Sequence, residues 1–407
     1  NGKVVAVDRP GAFAQVGVNQ KISVPGKWLV PGLIDLHVHL REPGFEHKET
    51  IFSGTRAAVV GGFTSVAAMA NTSPVNDSAA VTEMILSRAR QADQARVFPI
   101  GAVTKGLKGE QLSEIGFMAE AGICALSDDG MPVMNSALMR RAMEYAQAFD
   151  LPVISHAEDL SLSGSTSMNE GAVSALLGYR GNPAASEEIM VAREIALARL
   201  TGARVHIAHL STLQALKIVE RAKQDGLRVT CEVTPHHLLL NDHDLLSSHC
   251  CRRSDHKMAP PLRGPQDQEA LLEALSAGVI DMVASDHAPH GCVDKETEFE
   301  LAANGILGLQ TTLPLLLSLV HQGKISRLRL VELLSTAGAR FLSRSDLGSL
   351  RVGSTADLTV IDPNIEWTLS KDQVVSISKN SPFLDGYRGR SFKGKAVMTF
   401  VGGVQKL

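Results

Sequence analysis

Eight short runs rich in β-branched residues, separated by segments with helical apolar spacing, occupy the chain from about residue 29 to residue 290. The runs are Leu29–Leu40, Phe63–Ala70, Arg96–Val103, Ile123–Asp129, Pro152–Glu158, Arg204–Leu210, Arg228–Leu240 and Asp281–Pro289. Between them, Ser136–Phe149, Ser186–Leu200, Leu213–Ala222 and Gln268–Leu275 set an apolar stripe against a charged face, as a helix packed on a sheet does. Eight β-then-α units fit a (β/α)8 TIM-like barrel. An open eight-stranded sheet stands as the alternative, because periodicity does not show closure. The helical patterns Gln310–Val320 and Ser326–Leu342 end this region, and the long intervals Asp159–Ala203 and Asn241–Ile280 leave room for loops over one mouth.

After Gly348 the texture changes. Gly353–Pro363 and Lys393–Gly403 are strand patterns bounded by Gly, Pro and Asp, with no amphipathic helix between them. The first 28 residues look similar. A small β-sandwich domain built from residues 1–28 and 345–407 is therefore expected, interrupted by a barrel of residues 29–344. The chain opens at Asn1, without Met, in the middle of a strand-turn pattern (NGKVVAVDRPG), so the N-terminal part of the small domain is expected to be truncated.

Composition narrows function more than fold. The chain has 407 residues, 44% of them hydrophobic, which supports a buried core and excludes disorder as the dominant state. With 40 Lys+Arg against 43 Asp+Glu there is no broad basic surface, so nucleic acid is not an expected partner. No run reaches the ~18 consecutive apolar residues of a membrane span, and the N-terminus lacks a signal-peptide pattern. Five scattered cysteines make no disulfide framework, and a soluble, cytoplasmic protein is expected. Adjacent Cys250 and Cys251 read as a solvated turn, Cys231 as a small core residue, and the glycine pairs at 61–62 and 402–403 as turns rather than phosphate loops.

The 14 histidines carry the functional signal. The first run ends in Asp35-Leu-His37-Val-His39, and residues two apart on a strand share a face, so both imidazoles can address one metal. Alone, such a pair is as well explained by packing or solvation. Further runs end in Ser127-Asp128-Asp129, Ser155-His156, His206-Ile-Ala-His209 and Ser285-Asp286-His287-Ala-Pro-His290. In a barrel these ends converge on the face where active sites sit. Imidazole and carboxylate donors suit zinc, with manganese or iron as alternatives. Four His and two Asp exceed one tetrahedral ion and suit two ions ~3.5–4 Å apart that share a carboxylate.

Pro31-Gly-Leu-Ile-Asp-Leu-His-Val-His-Leu-Arg-Glu-Pro-Gly44, Ser127-Asp-Asp-Gly-Met-Pro-Val-Met134, His156-Ala-Glu-Asp159, Glu232-Val-Thr-Pro-His-His237, Pro260-Pro-Leu-Arg263, Ser285-Asp-His-Ala-Pro-His290 and the terminal Ala356-Asp-Leu-Thr-Val-Ile-Asp-Pro363 together resemble dihydroorotases. The likeness is to the long bacterial, aspartate-bridged type within the amidohydrolase superfamily, and it spans essentially the whole chain. It implies that His37, His39 and Asp286 hold one Zn2+, that His156 and His209 hold a second, and that Asp129 bridges both together with a hydroxide. By the same resemblance Arg41, Asn71, His290, Asn304 and Gly305 contact the substrate. His206, His236 and His237 match no ligand position and are expected to be structural. One departure stands out: the family carries Asn before Pro-Pro-Leu-Arg, whereas this chain has Ala259.

The implied reaction is reversible hydrolysis of (S)-dihydroorotate to N-carbamoyl-L-aspartate in de novo pyrimidine (UMP) biosynthesis. A bridging hydroxide attacks the ring carbonyl, and Asp286 acts as general base and then acid toward the leaving nitrogen. A homodimer and an association with aspartate transcarbamoylase are further expectations from the resemblance. Two other readings compete. A hydantoinase- or allantoinase-like enzyme would open another cyclic amide, but such relatives use a carboxylated lysine where this chain has Asp129. A non-catalytic scaffold for aspartate transcarbamoylase would be expected to lose metal ligands, and this chain keeps all six.

Overall fold

The computed structural model describes residues 2–407 except 10, 14, 15, 19, 165, 247–252 and 387–390. The expected turn at Cys250 and Cys251 lies outside the described residues. Eight parallel strands follow one another around a single sheet in chain order. They are β1 (Leu33–Val38), β2 (Phe63–Ala68), β3 (Arg96–Gly101), β4 (Ala125–Leu126), β5 (Val153–Ser155), β6 (Val205–Ile207), β7 (Val229–Val233) and β8 (Met282–Val283).

Closure is made by the ends of β1 and β8. Val38 bridges His287 in parallel, and the His39 amide donates to the His287 carbonyl at 2.8 Å. The buried Asp35 carboxyl accepts from the Ser285 amide at 3.1 Å and from the His37 amide at 3.2 Å. The sheet is thus a barrel and not the open alternative. Ile34, Leu36, Ala67, Met69, Ile100, Ala125, Ile154, Ala208 and Met282 form one apolar cluster drawn from seven strands or their ends. Such a set can only meet inside a barrel. Ala337, Ala339, Phe341 and Leu347 join it from the end of the barrel region.

Helices fill the connections where caps and apolar spacing agree. Thr50, Asn135 and Thr212 cap Ile51–Gly61, Ser136–Gln147 and Leu213–Gln224 by accepting from first-turn amides. Three expected elements divide. Leu29–Leu40 splits at Gly32: Trp28–Pro31 pairs with Leu358–Trp367 in a second sheet, while Leu33–Val38 enters the barrel. A side chain at Gly32 would lie 2.2 Å from Thr64 Oγ1, so only glycine lets the chain pass there. The Arg228–Leu240 run stops being strand at Val233, because Thr234 caps a helical turn, Pro235–Leu239, with proline in its first turn. The last helix continues through residues 327–341 but carries a π turn, Glu332–Thr336.

Both ends of the chain supply the second sheet, which is antiparallel and ordered Trp28–Pro31, Leu358–Trp367, Phe392–Val401, Val404–Gln405. Before Trp28 the described residues add one bridge, Lys3 to Thr355. The sheet leans on the first barrel helix: Thr359 Oγ1 donates to the Gly62 carbonyl at 2.7 Å, and Thr399 Oγ1 to Val59 O at 2.9 Å. Gly62 ends that helix at φ 93°, and a Cβ there would come within 2.9 Å of Ala396 Cβ. Gly62→Ala should therefore lower stability by roughly 1–3 kcal/mol through a left-handed backbone and a crowded contact. Urea denaturation of the two proteins checks this, and an unchanged midpoint would refute it.

Candidate active site

The residues singled out at strand ends come together at the C-terminal mouth of the barrel. His39, Arg41, Asn71, Asp129, His156, Asp286, His290, Asn304 and Gly305 all line one cavity of about 220 Å³, together with Gly130, Ala259 and Ala288. His37 and His209 are buried beside it. Asp286 Oδ1 lies 3.3 Å from His39 Nε2 and 3.5 Å from His37 Nε2. Asp129 Oδ1 lies 3.4 Å from His37 Nε2 and 3.5 Å from both His156 Nδ1 and His209 Nε2, while its Oδ2 is 3.5 Å from His39 Nε2. His156 Nδ1 and His209 Nε2 are 2.9 Å apart.

Two triads of ligand atoms, His37/His39/Asp286 and His37/Asp129/His209, each fall within 4.8 Å of one another. His37 Nε2 and Asp129 Oδ1 are buried without a hydrogen-bond partner. Orphaned nitrogen and oxygen donors that converge on a common space are a donor set that fits a cation. Arg41, His209 and Asp286 sit at φ 62°, 32° and 46°. Left-handed backbone at three residues without glycine's freedom is strain, of the kind that gathers at functional sites.

Charge explains why the cluster can hold a cation. Burial alone would raise the Asp129 carboxyl, but His37, His156 and His209 outweigh it and hold the group well below the carboxylate range. Asp286 is likewise held low against burial, by His37 and His39. Burial opposes a charge on His37, yet Asp129 and Asp286 raise it well above its ordinary value. His156 is raised to about 10, against burial, by Asp129 and Glu158. Without a metal, protons on imidazoles balance the buried carboxylates.

Residues that the motif reading left without a role hold the donors in place. Glu232 Oε1 accepts from His37 Nδ1 at 2.7 Å, which turns the His37 Nε2 lone pair toward the cluster. Glu158 Oε2 is 3.1 Å from His156 Nε2, and Asn182 Nδ2 donates to its other oxygen at 2.9 Å. A carboxylate inside the otherwise uncharged strand β7 was a readable sign, since a buried charge needs a partner. Asn380 carried no such sign. It accepts from the His290 amide at 3.1 Å and donates to the Gly305 carbonyl at 3.0 Å, from a segment without regular structure.

Asn71 Oδ1 accepts a hydrogen bond from His39 Nδ1–H at 2.8 Å, which leaves its Nδ2 as a donor. Arg41 Nε donates to the Pro289 carbonyl at 3.1 Å, which aims the guanidinium along the cavity wall. His290 Nε2 donates to the Asn304 carbonyl at 2.8 Å. Burial first, then Arg41, Lys48 and Lys295, push His290 down to about 3, so it is neutral near pH 7. His237 uses both ring nitrogens, Nδ1 on Thr234 Oγ1 at 2.7 Å and Nε2 on Pro260 O at 3.0 Å. It anchors the loop that carries Ala259.

A parallel barrel with this cluster at its C-terminal mouth defines the class: a hydrolase of the amidohydrolase fold. The family described as Dihydro-orotase-like matches residues 26–215. Relatives named dihydroorotase include one from Anaeromyxobacter dehalogenans (strain 2CP-C), 51% identical over 99% of this chain and 93% of its own length. Another, from Solibacter usitatus, is 52% identical over 93% of this chain and 86% of its own. Among solved structures, the L-hydantoinase (dihydropyrimidinase) of Arthrobacter aurescens superposes with a TM-score of 0.88 at 27% identity, covering 99% of this chain and 90% of that one. The chain belongs to the dihydroorotase family.

The charge balance makes a prediction about metal uptake. A divalent ion must displace the His37 and His156 protons, so Zn2+ added to metal-free protein should release protons, and affinity should rise with pH across the neutral range, below about 10 where His156 titrates. Calorimetry in buffers of different ionisation enthalpy reads this directly. Binding that is independent of both buffer and pH would contradict it.

Proposed function

We infer that this chain catalyses reversible hydrolysis of dihydroorotate to N-carbamoyl-L-aspartate with two divalent ions, zinc by preference, in the cavity at the barrel mouth. The observation that carries the reading is the convergence of the His/Asp cluster and the anion-binding groups Arg41 and Asn71 on one cavity of about 220 Å³. His37, His39 and Asp286 would hold one ion, and His156 and His209 the other. Asp129 would serve both, a role supported by its two oxygens facing different imidazoles at 3.4–3.5 Å. Zinc is favoured by a set made only of imidazole and carboxylate. When bound, such ions activate water at neutral pH and polarise a carbonyl.

The chain's own residues supply the rest. Arg41 and the Asn71 amide pair with the substrate carboxylate, since a guanidinium fork matches two carboxylate oxygens. His290, held neutral, leaves the charge of that carboxylate to be met by Arg41. The backbone of Asn304 and Gly305, braced by Asn380, forms the facing wall. Asp286 lines the cavity as an ionised carboxylate, so it can take a proton from the attacking water and return it to the departing ring nitrogen. Ala259 also lines the cavity and offers substrate no side-chain hydrogen bond.

The likeness to L-hydantoinase favours a cyclic-amide hydrolase in general. An unsubstituted hydantoin has no carboxylate for Arg41 and Asn71, which is why dihydroorotate is preferred here. Purified protein with measured metal content should hydrolyse dihydroorotate far faster than hydantoin or allantoin. Hydantoin as the best substrate would overturn the assignment, and loss of both metal and activity would favour the scaffold reading. Asp286→Asn should lower turnover by roughly 10²–10⁴-fold, the range for a general acid–base group. Wild-type turnover in that variant, with its metal complement intact, would remove Asp286 from proton transfer.

A further inference from the structure

We propose that His206 is a positioning residue for the metal centre, acting on His37 through Glu232. The inference rests on the metal assignment made under Proposed function. Four buried or nearly buried groups from three strands form a line across the barrel interior. Thr230 and Glu232 lie two apart on β7 and share a face. His206 on β6 is the register partner of Thr230. Thr230 Oγ1 is 2.8 Å from His206 Nδ1, His206 Nε2 is 3.3 Å from Glu232 Oε2, and Glu232 Oε1 is 2.7 Å from His37 Nδ1. His206, Glu232 and His37 are fully buried. The His206 ring also packs edge-on to Phe341, with 5.0 Å between centroids.

The proton directions are fixed by chemistry. An ionised Glu232 can only accept, so it takes His37 Nδ1–H on one oxygen and faces His206 Nε2–H on the other. His206 Nδ1 must then accept from the Thr230 hydroxyl. Each group has one orientation, and the line ends at His37 Nε2, the orphaned donor in the cluster. The His206–Glu232 contact, at 3.3 Å, is longer than the 2.7 Å Glu232–His37 bond and falls short of a full hydrogen bond, so it acts as an electrostatic anchor on the carboxylate. Without it the second oxygen of Glu232 loses its imidazole neighbour, and the carboxylate can turn away from His37. His206 touches neither the cavity nor the cluster, which makes it a second support behind the ligand's own partner.

Two substitutions separate anchoring from packing. The Asn amide in His206→Asn reaches the place of Nδ1, keeping the Thr230 contact but losing Glu232. The Gln amide in His206→Gln reaches the place of Nε2 and restores a donor to Glu232. His206→Asn should weaken Zn2+ or Co2+ affinity of the metal-free protein by roughly 10–100-fold, the cost usual for removing an outer partner of a ligand. It should also change the visible spectrum of the Co2+-loaded protein and lower kcat with KM unchanged. His206→Gln should stay close to wild type in all three. Thr230→Val, nearly isosteric, should fall between them and gives a folded alternative if His206→Asn does not fold. Equal affinity and spectra in wild type and all variants would overturn the proposal. So would equal damage in Asn and Gln variants, which would mark a packing role. A wild-type protein that takes up no Co2+ would instead bring down the metal reading on which the proposal stands.

Discussion

The junction of the first and last barrel strands is the constraint on which the rest depends. Asp35 and Ser285 lie 250 residues apart in the chain, yet the Asp35 carboxyl accepts the Ser285 amide. The next residues of the same two strands continue the seam through Val38 and His287. Pulling these ends together sets His37 and His39 against Asp286, and Arg41 against Pro289 and His290. Burial pushes Asp35 up to about 7, so near neutral pH a good share of the carboxyls carry a proton and bury little charge. A seam of that kind adds less negative charge to a region already rich in it.

Negative charge is the second organising force. Asp129, Asp286, Glu158 and Glu232 crowd a small region of low dielectric, where unpaired charge is costly. Each is ionised because imidazoles face it. The arrangement is stable only with positive charge at its centre, supplied by protons or by cations. The same field keeps the outer supports aligned, since Glu158 and Glu232 each fix which ring nitrogen of a histidine points inward. Arg41 and Asn71 line the same cavity beside this cluster, Asn71 through its hydrogen bond to His39.

Much of the fold was legible because it rests on local rules. Apolar periodicity located all eight barrel strands and the longer helices after residue 136, and the ends of those strands carry the His and Asp residues. Misreadings fell where a local pattern served two masters. At Gly32 one hydrophobic run feeds two sheets, and at Thr234 a cap and a proline turn an apolar stretch into a helix. Periodicity is blind to both, because neither changes the spacing of apolar residues. Glu232 could have been suspected from its place in an uncharged strand. Asn380 and Lys295 could not: Lys295 donates to the Ala303 and Gly305 carbonyls at 2.9 Å, a contact that depends on loop paths alone.

By itself the sequence determined the strand and helix pattern and set His and Asp at the strand ends, because these follow from the period of burial and from side-chain chemistry, while the assignment of individual ligands and substrate contacts came from the family resemblance. Tertiary structure decided how the pieces close and which groups support them. Closure needs two strand ends from opposite extremes of the chain to meet. The support of His37 by Glu232, and of Glu232 by His206, needs β1, β6 and β7 to face one another across a filled interior. Such contacts are set by distances through space, and the order of residues along the chain does not encode those distances one by one.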